Sequence, residues 1–303
     1  MSLPFLQSYL GLSNSLQTAQ GVAAPGYTRG IFAGHSGGSL SNVIDYITIA
    51  TIGNATDFGD ITHHSISGAS GVSSSTRGVI CGGDAGDNTT FYNNMEYITI
   101  STLSNGTSFG NLTVGRSYSA GLNSDTRGVM SGGTIHGAYV NTIDYITIAT
   151  TANAIDFGDC AAGITGAGGV NSSTRGVTGG GYITGNVLVI EYITIATPSN
   201  TTSFGNLTSA RHAMGACNSD TRGVFMGGNT VMDYITIATT GNATTFGTIS
   251  GGVTGAGVNS ETRGVMGVSD GMKYITIATT GNTTSFGNLS VSRNPYAGIQ
   301  NGL

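Results

Sequence analysis

The string Tyr-Ile-Thr-Ile starts at six places in this chain, at Tyr46, Tyr97, Tyr145, Tyr192, Tyr234 and Tyr274. A Phe-Gly follows each tyrosine at a constant distance of twelve residues, at Phe58, Phe109, Phe157, Phe204, Phe246 and Phe286. A Thr-Arg-Gly comes before each, with its arginine at Arg29, Arg77, Arg127, Arg175, Arg222 and Arg263. Six of each in fixed order define tandem units of roughly forty to fifty residues, a period that points to a repeat architecture.

The stretch 116–158 shows what one unit contains. Ala120 to Ser124 reads as a short strand of small residues, and Asp125 opens a turn. Arg127 to Ser131 is a second strand closed by Gly132-Gly133, and Ile143 to Thr150 a third, alternating around Tyr145. The segment around Phe157-Gly158 is the fourth. Gly-Asn pairs such as Gly53-Asn54 and Gly241-Asn242 supply turn chemistry between the third and fourth strands. The Asn-x-Thr triplets, such as Asn54-Ala55-Thr56, repeat with the scaffold and read as part of these turns. Four short strands per unit, six times over, predict an all-β fold: a six-bladed β-propeller with four antiparallel strands per blade. The predicted propeller spans residues 21–303, with residues 1–20 as an arm outside it.

Nearly all the variation in length falls in one class of connection. The spacing from Phe to the next Arg is 17 to 19 residues, whereas Arg to Tyr runs from 11 to 20. The insertions therefore fall in the loop before the acidic-Tyr strand, and in an up-and-down blade all such loops emerge on one face. A constant scaffold with one variable loop class is a common way to build a binding surface. At the C-terminus, Phe286, Arg293 and Ala297-Gly298 match Phe109, Arg116 and Ala120-Gly121, and the chain stops where the next Thr-Arg-Gly would fall. Residues near 296–301 are thus expected to form the first strand of the blade that continues at Thr28. Gly21 to Ala24 competes for that place, with Pro25 where other copies have Asn or Ser. Closure of this kind removes the open edges on which sheets aggregate.

Composition narrows the function classes. Gly numbers 51 and charged residues only 8%, but 38% hydrophobic residues is too many for a disordered chain. A net charge of −5, with six of the ten cations spread around the repeats, leaves no basic stripe for nucleic acid. No run of about twenty apolar residues is present to insert in a membrane. The N-terminus lacks a basic region ahead of its apolar residues and is a poor signal peptide. Cys81, Cys160 and Cys217 stand at non-equivalent positions and are expected to be buried free thiols.

The order of Arg-Gly strand, diglycine, variable loop, acid plus Tyr, and aromatic fourth strand resembles the kelch repeat over about residues 21–303. Gly37-Gly38, Gly82-Gly83, Gly132-Gly133, Gly179-Gly180 and Gly227-Gly228 match its diglycine. Phe stands where the family has Trp, and the sixth copy has Gly267-Val268 and Lys273 where the pattern has Gly-Gly and an acid. The near-identical units also resemble repeats of structural proteins of tailed, especially marine, bacteriophages. That resemblance implies a virion component made in the host cytoplasm: a tail- or capsid-associated appendage. A cellular kelch-type protein-interaction module is the alternative, and a propeller hydrolase or oxidase the reading after that.

The recurring arginines are expected to pair with the acids before each Tyr, namely Asp45, Glu96, Asp144, Glu191 and Asp233, because paired buried charges are far cheaper than a bare arginine ring. His35, His63, His64, His136 and His212 show no metal-ligand spacing, and no nucleophile elbow or symmetry-breaking carboxylate pair appears. The expectation is a protein without catalytic residues, metal or cofactor. Aromatics beside Asn and Asp in the variable loops suit a neutral sugar, whose apolar faces stack while amides take its hydroxyls. The candidate ligand residues are Asp87, Asn88, Phe91, Tyr92, His136, Tyr139, Tyr182 and Asn186. In the arm, Leu3, Phe5, Leu10, Leu12 and Leu16 form an apolar stretch nearly free of charge, expected to dock the propeller on other virion proteins. The partner at the loop face would then be a host-surface glycan or protein.

Overall fold

The computed structural model describes residues 28–35, 40–63, 66–87, 89–251, 254–269 and 271–300, and it is a six-bladed propeller. Each blade is a four-stranded antiparallel meander. In the second blade the strands from axis to rim are Ser70–Ser73, Arg77–Cys81, Asn94–Thr99 and Thr107–Asn111. The third blade repeats this with Ala120–Asn123, Arg127–Ser131, Thr142–Thr147 and Ile155–Asp159. Its third strand stops at Thr147 rather than Thr150, because Ala149 and Thr150 already belong to the next turn.

The Tyr-Ile-Thr-Ile string explains why the sheets stack in a ring. Strand residues alternate between faces, so Ile44 and Tyr46 point to one side of the first blade and Ile47 and Ile49 to the other. Ile44 and Tyr46 pack with Ile98 and Ile100 of the second blade, whereas Ile47 and Ile49 pack with Val258 and Val265 of the sixth. The hydrophobic core is accordingly six clusters, one between each pair of neighbouring blades. Each sheet is apolar on both faces because each is covered on both.

The ring closes as the termini predict. Ala297–Gln300 pairs antiparallel with Arg29–Ala33, with Ile299 opposite Ile31 and Ala297 opposite Ala33. The first blade therefore takes its innermost strand from the C-terminus and its other three from the N-terminal part. Residues 21–24, the competing strand, lie outside the described residues, as does Gly37-Gly38. In the fourth blade the diglycine is Gly180-Gly181, one residue later than its sequence match. Both have positive φ (63° and 112°), while Gly179 is still in the strand, opposite Gly168.

The pairing expected for the recurring arginines is corrected by the structure. Each lays its guanidinium over the Tyr of its own blade, for example Arg77 at 4.2 Å from the Tyr97 ring centroid and Arg127 at 4.4 Å from that of Tyr145. Each donates to main-chain carbonyls of the next blade: Arg77 to Ile148 and Ala149, Arg222 to Ile277 and Ala278. Arg263 closes the circle on Ile49 and Ala50 of the first blade. The reason is geometric. The acid lies on the third strand just past a bulge, as at Ile44/Asp45, and turns inward where it is fully buried. The repeat arginine instead lies at the start of the second strand, by the opposite end of the blade.

The buried acids find other partners. Asp45, Asp144 and Asp233 pair with Arg293, Arg116 and Arg211 at 2.6–2.8 Å, with all six side chains almost wholly buried. Each of these aspartates also accepts from the hydroxyl and backbone N–H of a residue three positions before its arginine, as Asp144 does from Thr113. The pairs occupy alternate blades, so the six-fold ring carries a three-fold pattern of charge. Glu96 is served instead by the backbone N–H groups of Thr62 and His63 and by the His63 ring. Burial pushes the Glu96 pKa up, but those hydrogen bonds outweigh it and hold the carboxyl below its ordinary value. Glu191 accepts from the Thr201 hydroxyl at 2.9 Å.

Two further contacts seal every seam. The Asn of each third-to-fourth-strand turn accepts from the fourth strand of the preceding blade, as when Asn54 Oδ1 takes the N–H of Asn288 at 3.0 Å. The Gly after each Phe lies against the same turn. A Cβ on Gly287 would stand 2.1 Å from the Gly53 carbonyl oxygen, so only glycine fits there.

Cys81, Cys160 and Cys217 are buried and unpaired with one another. Burial pushes all three thiols up, that of Cys160 to about 11. Since the thiolate is the reactive form, folded protein at pH 8 is expected to leave a thiol reagent unconsumed. All three sulfurs should react once guanidinium unfolds the chain, and rapid labelling of native protein would contradict this packing.

Candidate ligand-binding face

In an antiparallel meander, the loops between second and third strands share one end of the disc with the connections from each outermost strand to the next innermost strand. The variable loops gather there, and their aromatic residues meet across blade boundaries. Phe91 of the second blade meets His136 of the third edge-on, with centroids 5.1 Å apart. Tyr139 of the third blade meets Tyr182 of the fourth at 5.6 Å. Tyr182 in turn meets His212, on the connection into the fifth blade, at 5.4 Å. His212 Nδ1 lies 2.8 Å from Asn186 Oδ1, which fixes the imidazole in that row.

Local sequence explains how these side chains are presented. Thr134–Ile135 and Ala138–Tyr139 form a small hairpin whose two turn residues, His136 and Gly137, both have positive φ (48° and 76°). That is the backbone of a tight type I′ hairpin, and Gly at the second position suits it. The hairpin holds His136 and Tyr139 out, and both are exposed. Asp87 serves its own loop: its carboxylate accepts from Thr89 N–H, Thr90 N–H and the Thr90 hydroxyl, bonds that hold its pKa below the usual carboxylate range. Tyr92 packs against the cluster between the first and second blades, so its ring belongs to the core and not to the open face. Asn88 and the arm residues Leu3, Phe5, Leu10, Leu12 and Leu16 lie outside the described residues. Of the sequence candidates, Phe91, His136, Tyr139, Tyr182 and Asn186 thus come together, and His212, not among them, completes the row.

The axis itself is built from backbone. Gly71, Gly121, Gly169, Ala216, Gly257 and Gly298 occupy one register position on the six innermost strands. A Cβ on Gly121 would lie 2.1 Å from the Gly71 oxygen, and one on Gly298 would lie 2.2 Å from the Gly257 oxygen. The strands therefore touch main chain to main chain, and the channel between them is narrow. One aromatic side chain breaks the symmetry. Tyr296 stands where the other innermost strands have Ala69, Ser119, Ala167, Met214 and Gly255. It reaches across the axis to meet Tyr118 edge-on at 4.9 Å and 89°. Its hydroxyl is buried without a hydrogen-bond partner, and burial, with Tyr118 beside it, pushes its pKa up, so it keeps its proton.

Among the described residues no three His, Cys, Asp or Glu side chains gather to hold a metal. The fold and this face together define a β-propeller with a row of aromatic side chains on its loop side. No protein-family model matches the chain, and no curated protein matches it either.

Proposed function

We propose that this chain is a non-enzymatic recognition protein of a tailed-phage virion, an appendage whose propeller presents one aromatic face to a host-surface glycan or a neighbouring protein. The observation that carries the recognition role is the row Tyr139–Tyr182–His212, continued by Phe91–His136 in the adjacent loops. Aromatic rings with an amide beside them, on an otherwise invariant scaffold, suit an uncharged ligand with apolar faces and hydroxyls. The virion role rests on the resemblance of the repeat units to tailed-phage structural proteins. The apolar arm supplies the means of docking to the particle.

The test combines light scattering with a glycan array, on the full chain and on a chain lacking residues 1–20. The full chain is expected to self-associate or to capture virion proteins through the arm. The shortened chain should be a monomer that still binds at the loop face, and Tyr182→Ala should weaken that binding about tenfold, the scale of one lost stacking and hydrogen-bonding contact. Undiminished binding by Tyr182→Ala would remove the aromatic row from the recognition surface. A monomeric full chain with no virion partner would remove the docking role of the arm.

A further inference from the structure

Where the loop face meets the axis, the surface sinks into a cup of about 360 Å³, lined by Tyr118, Thr134, Thr165, His212, Thr254 and Tyr296. That volume is near the lower end for small-molecule sites, which run from about 300 Å³ upward. We propose that this cup binds a single neutral pyranose ring, the terminal unit of a saccharide whose following units run along Tyr182 and Tyr139. The proposal rests on the reading of the loop face as a recognition surface and names the ligand class and the anchoring subsite.

Four observations converge on it. Among the described residues that line the cup there is no Asp, Glu, Lys or Arg, so none of them compensates a charged ligand. Two of the residues that line it, Tyr296 and Thr165, have hydroxyls that are buried without any hydrogen-bond partner. Buried polar groups are nearly always satisfied, and two orphans in one small cup are the complement of a ligand that carries hydroxyls. The edge-to-face pair Tyr118–Tyr296 at the axis offers the apolar surface on which a sugar ring's C–H face packs. Finally, the cup's rim holds strained backbone. Tyr118 and Ala213 both sit at positive φ (58° and 57°), where the matching positions of other blades have Gly68 and Gly166. A non-glycine residue held in that region costs stability, and such residues cluster at functional sites.

His212 belongs both to the cup and to the aromatic row, so the two are continuous. One ring seated at the axis would leave its next glycosidic neighbour over Tyr182. Tyr118 is held in place by its own hydroxyl, 3.0 Å from Ser67 Oγ, so the cup's aromatic side is set before any ligand arrives.

The experiment measures binding of a panel of methyl pyranosides and of short oligosaccharides to the full chain by ligand-observed NMR and titration calorimetry, alongside thermal melts. Tyr296→Phe and Thr165→Val remove the orphan hydroxyls and keep the packing. Each is expected to weaken methyl-pyranoside binding by about tenfold, the worth of one well-placed hydrogen bond. Neither should lower the melting temperature, because deleting an unsatisfied buried hydroxyl removes a penalty. Tyr182→Ala should leave the single-ring ligand bound and weaken only the longer saccharides. If oligosaccharides bind and need Tyr182 but are indifferent to Tyr296→Phe and Thr165→Val, the cup is overturned and the loop-face reading stands. If no sugar binds while a protein partner is captured in a Tyr182-dependent way, the sugar ligand is overturned. If neither binds, the recognition face itself falls.

Discussion

A chain ending at Gly287 is expected to lose its cooperative unfolding transition or to melt at least on the order of 10 °C lower. The deletion removes Ala297–Gln300, the innermost strand of the first blade, and leaves Arg29–Ala33 as an open edge. It also removes Arg293 and so strands Asp45, fully buried, without its cation. Breaking a buried pair from one side costs about 3–5 kcal/mol, and losing a buried side chain such as Ile299 costs roughly 1.5–3 kcal/mol more. Against a total stability of about 5–15 kcal/mol, that sum removes most of the margin. Calorimetry of the full and shortened chains is the measurement, and an unchanged melt would show that the C-terminal strand is dispensable.

Arg116→Ala is the second large effect. It leaves Asp144 buried and unpaired, and the expected cost is about 3–5 kcal/mol. The recurring Arg127, half-buried with its guanidinium over Tyr145, provides the control. Arg127→Ala should cost no more than about 1–2 kcal/mol, the worth of a partly exposed cation–π and carbonyl contact. Adding Asp144→Asn to Arg116→Met should recover much of the loss, because the residue at 144 is then neutral and still accepts from Thr113. Equal costs for Arg116→Ala and Arg127→Ala in denaturant titrations would contradict the division of labour described here.

The propeller, its six units, four strands and terminal closure were legible because repetition multiplies weak local signals: one short strand is ambiguous, but six in the same order are not. Sequence reasoning misassigns the arginine partnership because the six recurring arginines are near-equal in number to the five acids, and counting alone does not see which end of a strand a side chain occupies. A signal was present. Asn-Leu-Thr/Ser followed three residues later by arginine occurs at Arg116, Arg211 and Arg293, and only the blades these arginines enter carry Asp before the Tyr; the others carry Glu96, Glu191 or Lys273. The loop aromatics could be picked out as residues but not as a row, since neighbouring loops meet only across blade boundaries. His212 and Tyr296 were invisible as site residues because each sits in a short connection that looks like scaffold in sequence. Tyr92 illustrates the converse: it lies in a variable loop by sequence spacing and turns inward in space.

Bare backbone at the axis also bears on how many units the ring holds. Because every seam uses the same arginine, asparagine and glycine, the chemistry of a joint would be equally satisfied with one unit more or fewer. What differs is the circumference available to the innermost strands. Main chain against main chain allows the tightest circle, and a side chain at each of those positions would demand a wider one, with room for another sheet. Ala216 is the one position of the six that carries a Cβ. The count of six is therefore written less in the seams, which are indifferent to it, than in the five glycines that let the strands crowd together at the centre.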